Sequence, residues 1–214
     1  MNHKITSIQK QKRNPKRVNV YLDGDFAFGL SRIVAAWLRV GQELNEEKIK
    51  ALKEEDNLEV VYQQALKFVG YSMRTEAEVQ EKLHGGDFPE HVIDEVIVRL
   101  RQSGLVDDER FATLWVENRN DFRPRSHRAL VYELRRKGIP DQLITKTLTG
   151  TVPEEELAYR AALRHSGKLR ELDRSEFRRK LGGFLTRRGF PYDIIAPVVD
   201  RVWTELRSIH LGET

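Results

Sequence analysis

Polar and apolar residues alternate singly near the start of the chain and then change to helical spacing for the remainder. Val18, Val20 and Leu22 alternate with Asn19 and Tyr21, Asp23-Gly24 interrupts, and Phe26 and Phe28 resume the alternation. A period of two reads as a half-buried strand, and Asp-Gly between two such runs is a hairpin signal, because glycine tolerates the positive φ of the primed turns. Ile5 and Ile8 add a third strand to this hairpin. Two short helices are expected next, Arg32–Arg39 and Glu46–Glu55, separated at Gly41, with Asn45 placed to cap the second. The polar stretch Lys53–Asn57 reads as the end of this first unit, residues 1–57.

From Leu58 onward the pattern is helical, and it repeats. LHGGDFPEHVI, LRRKGIPDQLI and LTRRGFPYDII begin at Leu83, Leu134 and Leu185, a period of 51 residues, and Val79, Leu130 and Leu181 stand four residues before each leading Leu. An i, i+4 apolar pair carried at one fixed period marks a true internal repeat. Each repeat reads as three helices. In the first these are Leu58–Val69, Thr75–His84, opened by a Thr75/Glu78 capping box, and Pro89–Arg101. Pro89, Pro140 and Pro191 sit where a third helix begins, since proline there loses no helical bond, and Gly138 and Gly189 suit the preceding C-terminal turn. The second repeat opens near Asp107-Asp108 with Phe111, Leu114 and Trp115 inward, and the third opens at Pro153. The expected fold is mainly α: tandem three-helix repeats at 58–107, 108–152 and 153–214, in an elongated, curved array, behind a small β-hairpin-containing α+β unit at 1–57. The Leu, Ile and Val stripes are core. A unit of about fifty residues is marginal alone, so neighbours pack end to end.

Composition agrees with thin stacked helices. Among 214 residues 33% are charged and 39% hydrophobic, and no cysteine is present. The last fact excludes disulfides, thiolate metal sites and thiol nucleophiles. The start MNHKITSIQKQKRNPKR has no apolar signal-type segment, and no apolar run approaches the ~20 residues of a membrane span, so a soluble cytoplasmic protein is expected.

The formal charge of +4 conceals an uneven distribution. Lys4–Arg17 holds six basic residues and no acid, and Glu76–Glu95 holds seven acids against Lys82 alone. Arg119–Lys137 carries seven basic and two acidic residues, and Arg160–Arg188 ten and three. Such blocks bind polyanions, charged proteins, or both.

Catalytic chemistry is absent from the motifs. No P-loop surrounds Gly167-Lys168, no G-x-G-x-x-G occurs, and the histidines (3, 84, 91, 127, 165 and 210) are scattered. The His84/His91 pair is separated by Gly85, Gly86 and Pro89, and Asp107-Asp108-Glu109 fits a helix start favoured by the macrodipole better than a metal cluster. No enzyme, metal or cofactor is expected.

The basic faces are the candidate site. Arg125, Arg128, Tyr132, Arg135 and Arg136 recur at three- and four-residue spacing opposite Leu130 and Leu134, placing four guanidinium groups and one aromatic on a single helix face, with Arg119, Arg123 and Lys137 beside it. Arginine pairs bidentately with phosphate, and tyrosine stacks on a base. In the third repeat Arg174, Arg178, Arg179, Arg187 and Arg188 flank Phe177, Leu181, Phe184 and Leu185; Gly182-Gly183 fall mid-helix, where they permit close approach, a bend or a break. The matched positions of the first repeat, Arg74, Ala77, Glu81, His84 and Gly85, are no longer basic.

YLDGDFAFGLS, SGLVDDERFA and ELRRKGIP, in this order on tandem three-helix units, closely resemble the RecX family of bacterial recombination regulators. The resemblance runs from about Ile5 to about Leu206 and is most specific over Ser103–Val116 and Tyr132–Ile144. It implies binding to the RecA–single-stranded DNA filament along its groove, restraint of filament growth, ATP hydrolysis and strand exchange, and some direct affinity for single-stranded and duplex DNA. With no apolar run long enough to span a membrane, no membrane association is expected, and a monomer is expected. The hairpin unit occurs in only part of the family, and Gly86-Asp87 replaces the usual basic residue before the phenylalanine, so the acidic first repeat is expected to meet protein rather than DNA. The alternative is a helical nucleic-acid-binding protein with no filament partner. A structural scaffold for acidic proteins is a third class, and it predicts no DNA binding at any salt.

Overall fold

Four antiparallel strands take up the alternating segment: β1 (Asn2–Lys10), β2 (Arg17–Leu22), β3 (Asp25–Ser31) and β4 (Glu43–Asn45), in the order β3-β2-β1-β4. The computed structural model describes residues 1–86 and 88–211. Asp87, residues 212–214 and the side chains of Ile209, His210 and Leu211 lie outside the described residues, and with them the expectations placed on Asp87 and His210. At the β2–β3 turn Asp23 and Gly24 both take positive φ, 53° and 103°, the pair of values a tight primed turn requires. Val18, Val20, Leu22, Phe28 and Leu30 turn to one face and are buried with Ile5, Leu44, Ile49 and Leu52. The edge strand β4 carries no alternation long enough to announce itself. The expected helix Arg32–Arg39 is only a 3₁₀ turn, Val34–Trp37, with Trp37 almost wholly exposed.

In place of two helices broken at Lys53–Asn57, one helix, α1, runs unbroken from Glu46 to Val69. Asn45 caps it, its side chain accepting from the Lys48 N–H at 2.8 Å. No glycine or proline interrupts it, and the polar stretch is internal because Asp56 within it and Glu59 just beyond it both have partners. Asp56, only 6% exposed, pairs with the Arg17 guanidinium at 2.7 Å and accepts the Ser31 N–H. Glu59, also buried, pairs with Arg99 at 3.3 Å and accepts from Gln63 at 2.9 Å. The Asn57/Leu58 boundary therefore falls within a helix.

The remaining helices are α2 (Glu76–His84), α3 (Glu90–Gln102), α4 (Asp108–Phe122), α5 (His127–Arg136), α6 (Asp141–Leu148), α7 (Glu154–Ser166), α8 (Arg174–Arg187) and α9 (Tyr192–Leu211). Two compact units divide them. One comprises Met1–Arg74 with Glu78–Val106, and the other Thr75–Ala77 with the chain from Asp107 onward. In the first unit Val61 and Ala65 of α1 pack with Val79, Leu83, Ile93, Val96, Ile97 and Leu100. The second unit has two cores. Phe111, Ala112, Val116, Leu130, Leu134, Ile139 and Ile144 form one, and Leu157, Ala161, Phe177, Leu181, Leu185, Phe190, Val198 and Val202 belong to the other.

The repeated motif has a physical account. Val79/Leu83, Leu130/Leu134 and Leu181/Leu185 are the buried pairs of α2, α5 and α8. After α5, Gly138 takes φ 78°, its N–H donates to the Arg135 carbonyl, and the Ile139 N–H donates to Leu134, closing a Schellman cap with Ile139 buried on it. Gly189 (φ 90°) and Phe190 repeat this after α8. Pro89, Pro140 and Pro153 stand at the N-cap of α3, α6 and α7, one residue before the helix, and Asp107 caps α4 by accepting the Arg110 N–H at 2.9 Å. Leu114, expected inward, is 41% exposed, while Phe111 and Trp115 stack on one another. Gly182-Gly183 do not end a helix: α8 continues through them, and a Cβ added at Gly182 would stand 3.7 Å from Ile195 Cγ2, an ordinary contact.

Candidate nucleic-acid interface

Helix α5 supplies the first set of cations. Ser126 caps it, accepting the Ala129 N–H at 3.1 Å, and Leu130 and Leu134 fix its inner face. That leaves Arg128, Tyr132, Arg135 and Arg136 outward, Tyr132 with 63% of its surface exposed. Arg135 is not free. It holds Asp141 through two bonds, Nε to Oδ1 at 2.7 Å and Nη2 to Oδ2 at 3.1 Å, which keep that carboxyl below its ordinary pKa. Arg136 lies over the Tyr132 ring at 5.9 Å. Arg128 and Arg136 have no carboxylate partner among the described residues.

Arg125 is not on that helix face, contrary to its i, i+3 spacing, because α5 starts only after the Ser126 cap. Its guanidinium turns instead to Glu133, which is 15% exposed and gathers three groups. The Trp115 indole N–H and the Arg119 Nε–H both donate to Glu133 Oε2 at 2.8 Å, and Arg125 forms an ion pair with Oε1 at 3.0 Å. Arg119 also lies over the Trp115 ring at 4.5 Å, and the Lys137 ammonium, at the α5 C-cap, is 5.5 Å from it. Arg123 ends α4 with its side chain exposed.

Helix α8 divides its arginines between two surroundings. At its N-terminal end Arg174 and Arg178 share Asp200 at 3.5 and 3.6 Å, and Arg179 pairs with Glu176 at 3.8 Å. At its C-terminal end Arg187 is exposed and Arg188 turns toward the second repeat. The Arg188 Nη1–H donates to the Pro124 carbonyl at 3.1 Å, the Arg188 carbonyl accepts the Ser126 N–H at 3.1 Å, and the guanidinium lies 4.8 Å from the Phe184 ring. Gly189 permits this approach, since a Cβ there would stand 2.5 Å from Ser126 Oγ. Burial lowers the Arg188 pKa first, and the charges of Arg125, Arg123, Arg119 and Arg164 lower it further.

The fold thus brings Arg119, Arg123, Arg125 and Arg188 into one cluster, sets Arg128, Tyr132, Arg135 and Arg136 along the α5 surface, and ties Arg174, Arg178 and Arg179 to carboxylates. Arg164 joins the cluster without having been singled out by sequence. So do His165, stacked parallel on Phe184 at 3.9 Å, and Lys168. The only signal for them was the excess of basic residues between Arg160 and Arg188, which does not say which of those side chains converge.

Tandem three-helix modules that follow a small antiparallel sheet in the chain, with guanidinium groups collected on the later modules, define a helical-repeat class of protein. Four family descriptions match in chain order: the regulatory protein RecX N-terminal domain over residues 3–45, and the first, second and third RecX three-helix domains over 62–100, 107–148 and 153–199. The chain belongs to the RecX family. It is 32% identical over 203 residues to regulatory protein RecX of Bacillus velezensis, covering 92% of this chain and 76% of that protein. It is 32% identical over 206 residues to that of Clostridium tetani, covering 94% of each. Among solved structures, a crystal structure of regulatory protein RecX aligns with a TM-score of 0.72 at 31% identity, over 92% of this chain and 99% of that one. RecX from Lactobacillus salivarius aligns at 0.60 and 25%, over 69% and 97%. No helix among the described residues is long and apolar enough to cross a membrane.

Proposed function

We propose that this protein binds the RecA–single-stranded DNA filament and restrains its ATP hydrolysis, extension and strand exchange, with direct contact to DNA. The observation that carries this reading is the outward face of α5, where Arg128 and Arg136 are exposed and unneutralised beside an exposed Tyr132. Unneutralised guanidinium groups beside an aromatic ring suit a phosphate backbone with accessible bases. Membership of the RecX family supports the filament as the partner. The second and third repeats supply the cations, while the acidic first repeat and the N-terminal sheet meet protein. The protein acts as a monomer in the cytoplasm and inhibits by occupying the groove, without chemistry of its own.

A titration into RecA hydrolysing ATP on single-stranded DNA tests the reading. Arg128→Glu with Arg136→Glu should abolish suppression while leaving helicity unchanged. Arg135→Glu is a poorer choice, since it also breaks the Asp141 pair. Normal suppression by the double variant would remove the proposal. Binding no tighter to filaments than to bare single strands would favour a nucleic-acid-binding protein with no filament partner.

A further inference from the structure

Beside the guanidinium cluster lies a cleft of about 160 Å³, lined by Phe122 and Pro124 from the end of α4, by Arg164, His165 and Lys168, and by Phe184 and Arg188 from α8. Its polar lining is wholly basic: among the described residues no carboxylate borders it. Arg164 and Lys168 are exposed and have no ion-pair partner among the described residues, and Arg188 is held in place by the Pro124 carbonyl rather than by an acid. At the rim Phe122 leaves 71% of its surface in water. An uncompensated cationic cleft under an exposed aromatic ring combines the two elements of single-strand recognition, cations for the backbone and a flat face for a base.

We infer that this cleft is a single-stranded nucleic-acid subsite, with one phosphodiester held by Arg164, Lys168 and Arg188 and the adjoining base stacked on Phe122. The inference rests on the reading that the protein contacts DNA, and it adds a site distinct from the α5 face. Arg188 is pre-positioned for a phosphate oxygen, because its backbone and its guanidinium are both fixed to the second repeat. Burial first, and then the charges of neighbouring cations, depress the Arg188 and His165 pKa values, and the second of these causes is the one a bound anion relieves. A duplex offers no unstacked base to Phe122, so the subsite distinguishes single strands from duplexes.

Fluorescence anisotropy of a labelled oligothymidylate, with the full chain and no RecA, tests this. Phe122→Ala should weaken binding about 10-fold, within the ~1–3 kcal/mol that one stacked base contributes. Phe122→Tyr should restore it, and affinity for duplex should be unaffected by either change. Arg164→Gln with Lys168→Gln should lower the slope of log K against log salt by up to about 0.7, the share of one phosphate, since only Arg188 then remains to neutralise it. Native affinity in Phe122→Ala together with an unchanged salt slope in the double variant would overturn the subsite. So would weakened binding to RecA filaments with unchanged binding to bare strands, which would assign the cleft to an acidic protein surface. The two readings fail separately. Absence of oligothymidylate binding by the native chain sinks the subsite even where RecA ATPase is suppressed. Absence of that suppression sinks the filament reading even where Phe122 and Arg164 behave as stated.

Discussion

Asp56 shows how far a residue's surroundings can override its type. In the sequence it belongs to a polar stretch that looks like the end of a unit, yet it is buried in α1 because Arg17, 39 positions earlier, reaches it at 2.7 Å. Glu59 is held in the same way by Arg99, 40 positions later. Pairings at such separation leave no local periodicity, so the continuity of α1 could not be read from the chain. Removing one partner of a buried pair leaves an uncompensated charge, at a cost of about 3–5 kcal/mol. Asp56→Ala strands the Arg17 guanidinium, which is itself 26% exposed, so the cost falls at the lower end, about 3 kcal/mol. Urea denaturation followed by circular dichroism measures it; a loss below about 1 kcal/mol would mean that solvent already screens the pair. Arg125 makes the complementary point. Its spacing from Arg128 placed it on a helix face, but the helix starts only after the Ser126 cap, and Glu133 takes the Arg125 charge instead.

Elements were legible where one local pattern determined them. The buried pair of each repeat, the glycine after α5 and α8 and the proline before α3 and α6 all lie within eleven consecutive residues, and the 51-residue period makes them stand out. The arginine cluster was not legible, because it forms where the end of α8 meets the α4–α5 loop, 64 positions apart at the Arg188–Pro124 hydrogen bond. Gly189 is the hinge of that meeting. It is needed both for its φ of +90° and for the approach to Ser126. Alanine there meets left-handed strain of roughly 1–2 kcal/mol and also displaces the hydroxyl that caps α5, worth ~1 kcal/mol. Gly189→Ala should therefore destabilise the second unit by about 2–3 kcal/mol. Gly150→Ala, with φ +77° and nothing within 4 Å of the added carbon, isolates the strain alone. Equal losses for the two variants in a denaturation series would show that the approach to Ser126 imposes no constraint of its own.

At the scale of the whole molecule the two units carry histidines that titrate in opposite senses. In the first unit His3 is raised above its ordinary pKa, first by its hydrogen bond to Asp23 at 2.8 Å and then by that to Glu46 at 3.1 Å. His84 is raised by Glu90 at 2.8 Å. In the second unit His165 is lowered, first by burial against Phe184 and then by the charges of Lys168, Arg187 and Arg188. A raised histidine binds more protons when folded, so its stabilisation is complete below the unfolded value of about 6.5 and fades as pH rises through the folded value. A lowered histidine binds more protons when unfolded, so stability is complete above about 6.5 and is lost as pH falls toward the folded value. Acidification from about pH 7.5 to about pH 6 should accordingly strengthen the first unit and weaken the second. Amide hydrogen exchange, corrected for the intrinsic pH dependence of exchange, resolves the two by comparing β1–β3 with α7 and α8. The gain in the first unit should shrink in high salt, because His3 and His84 are exposed enough for their pairs to be screened. His165→Gln should remove the acid-induced loss in α7 and α8 while leaving the sheet's response intact. Protection that moves in the same direction in both units would exclude these histidines as its source.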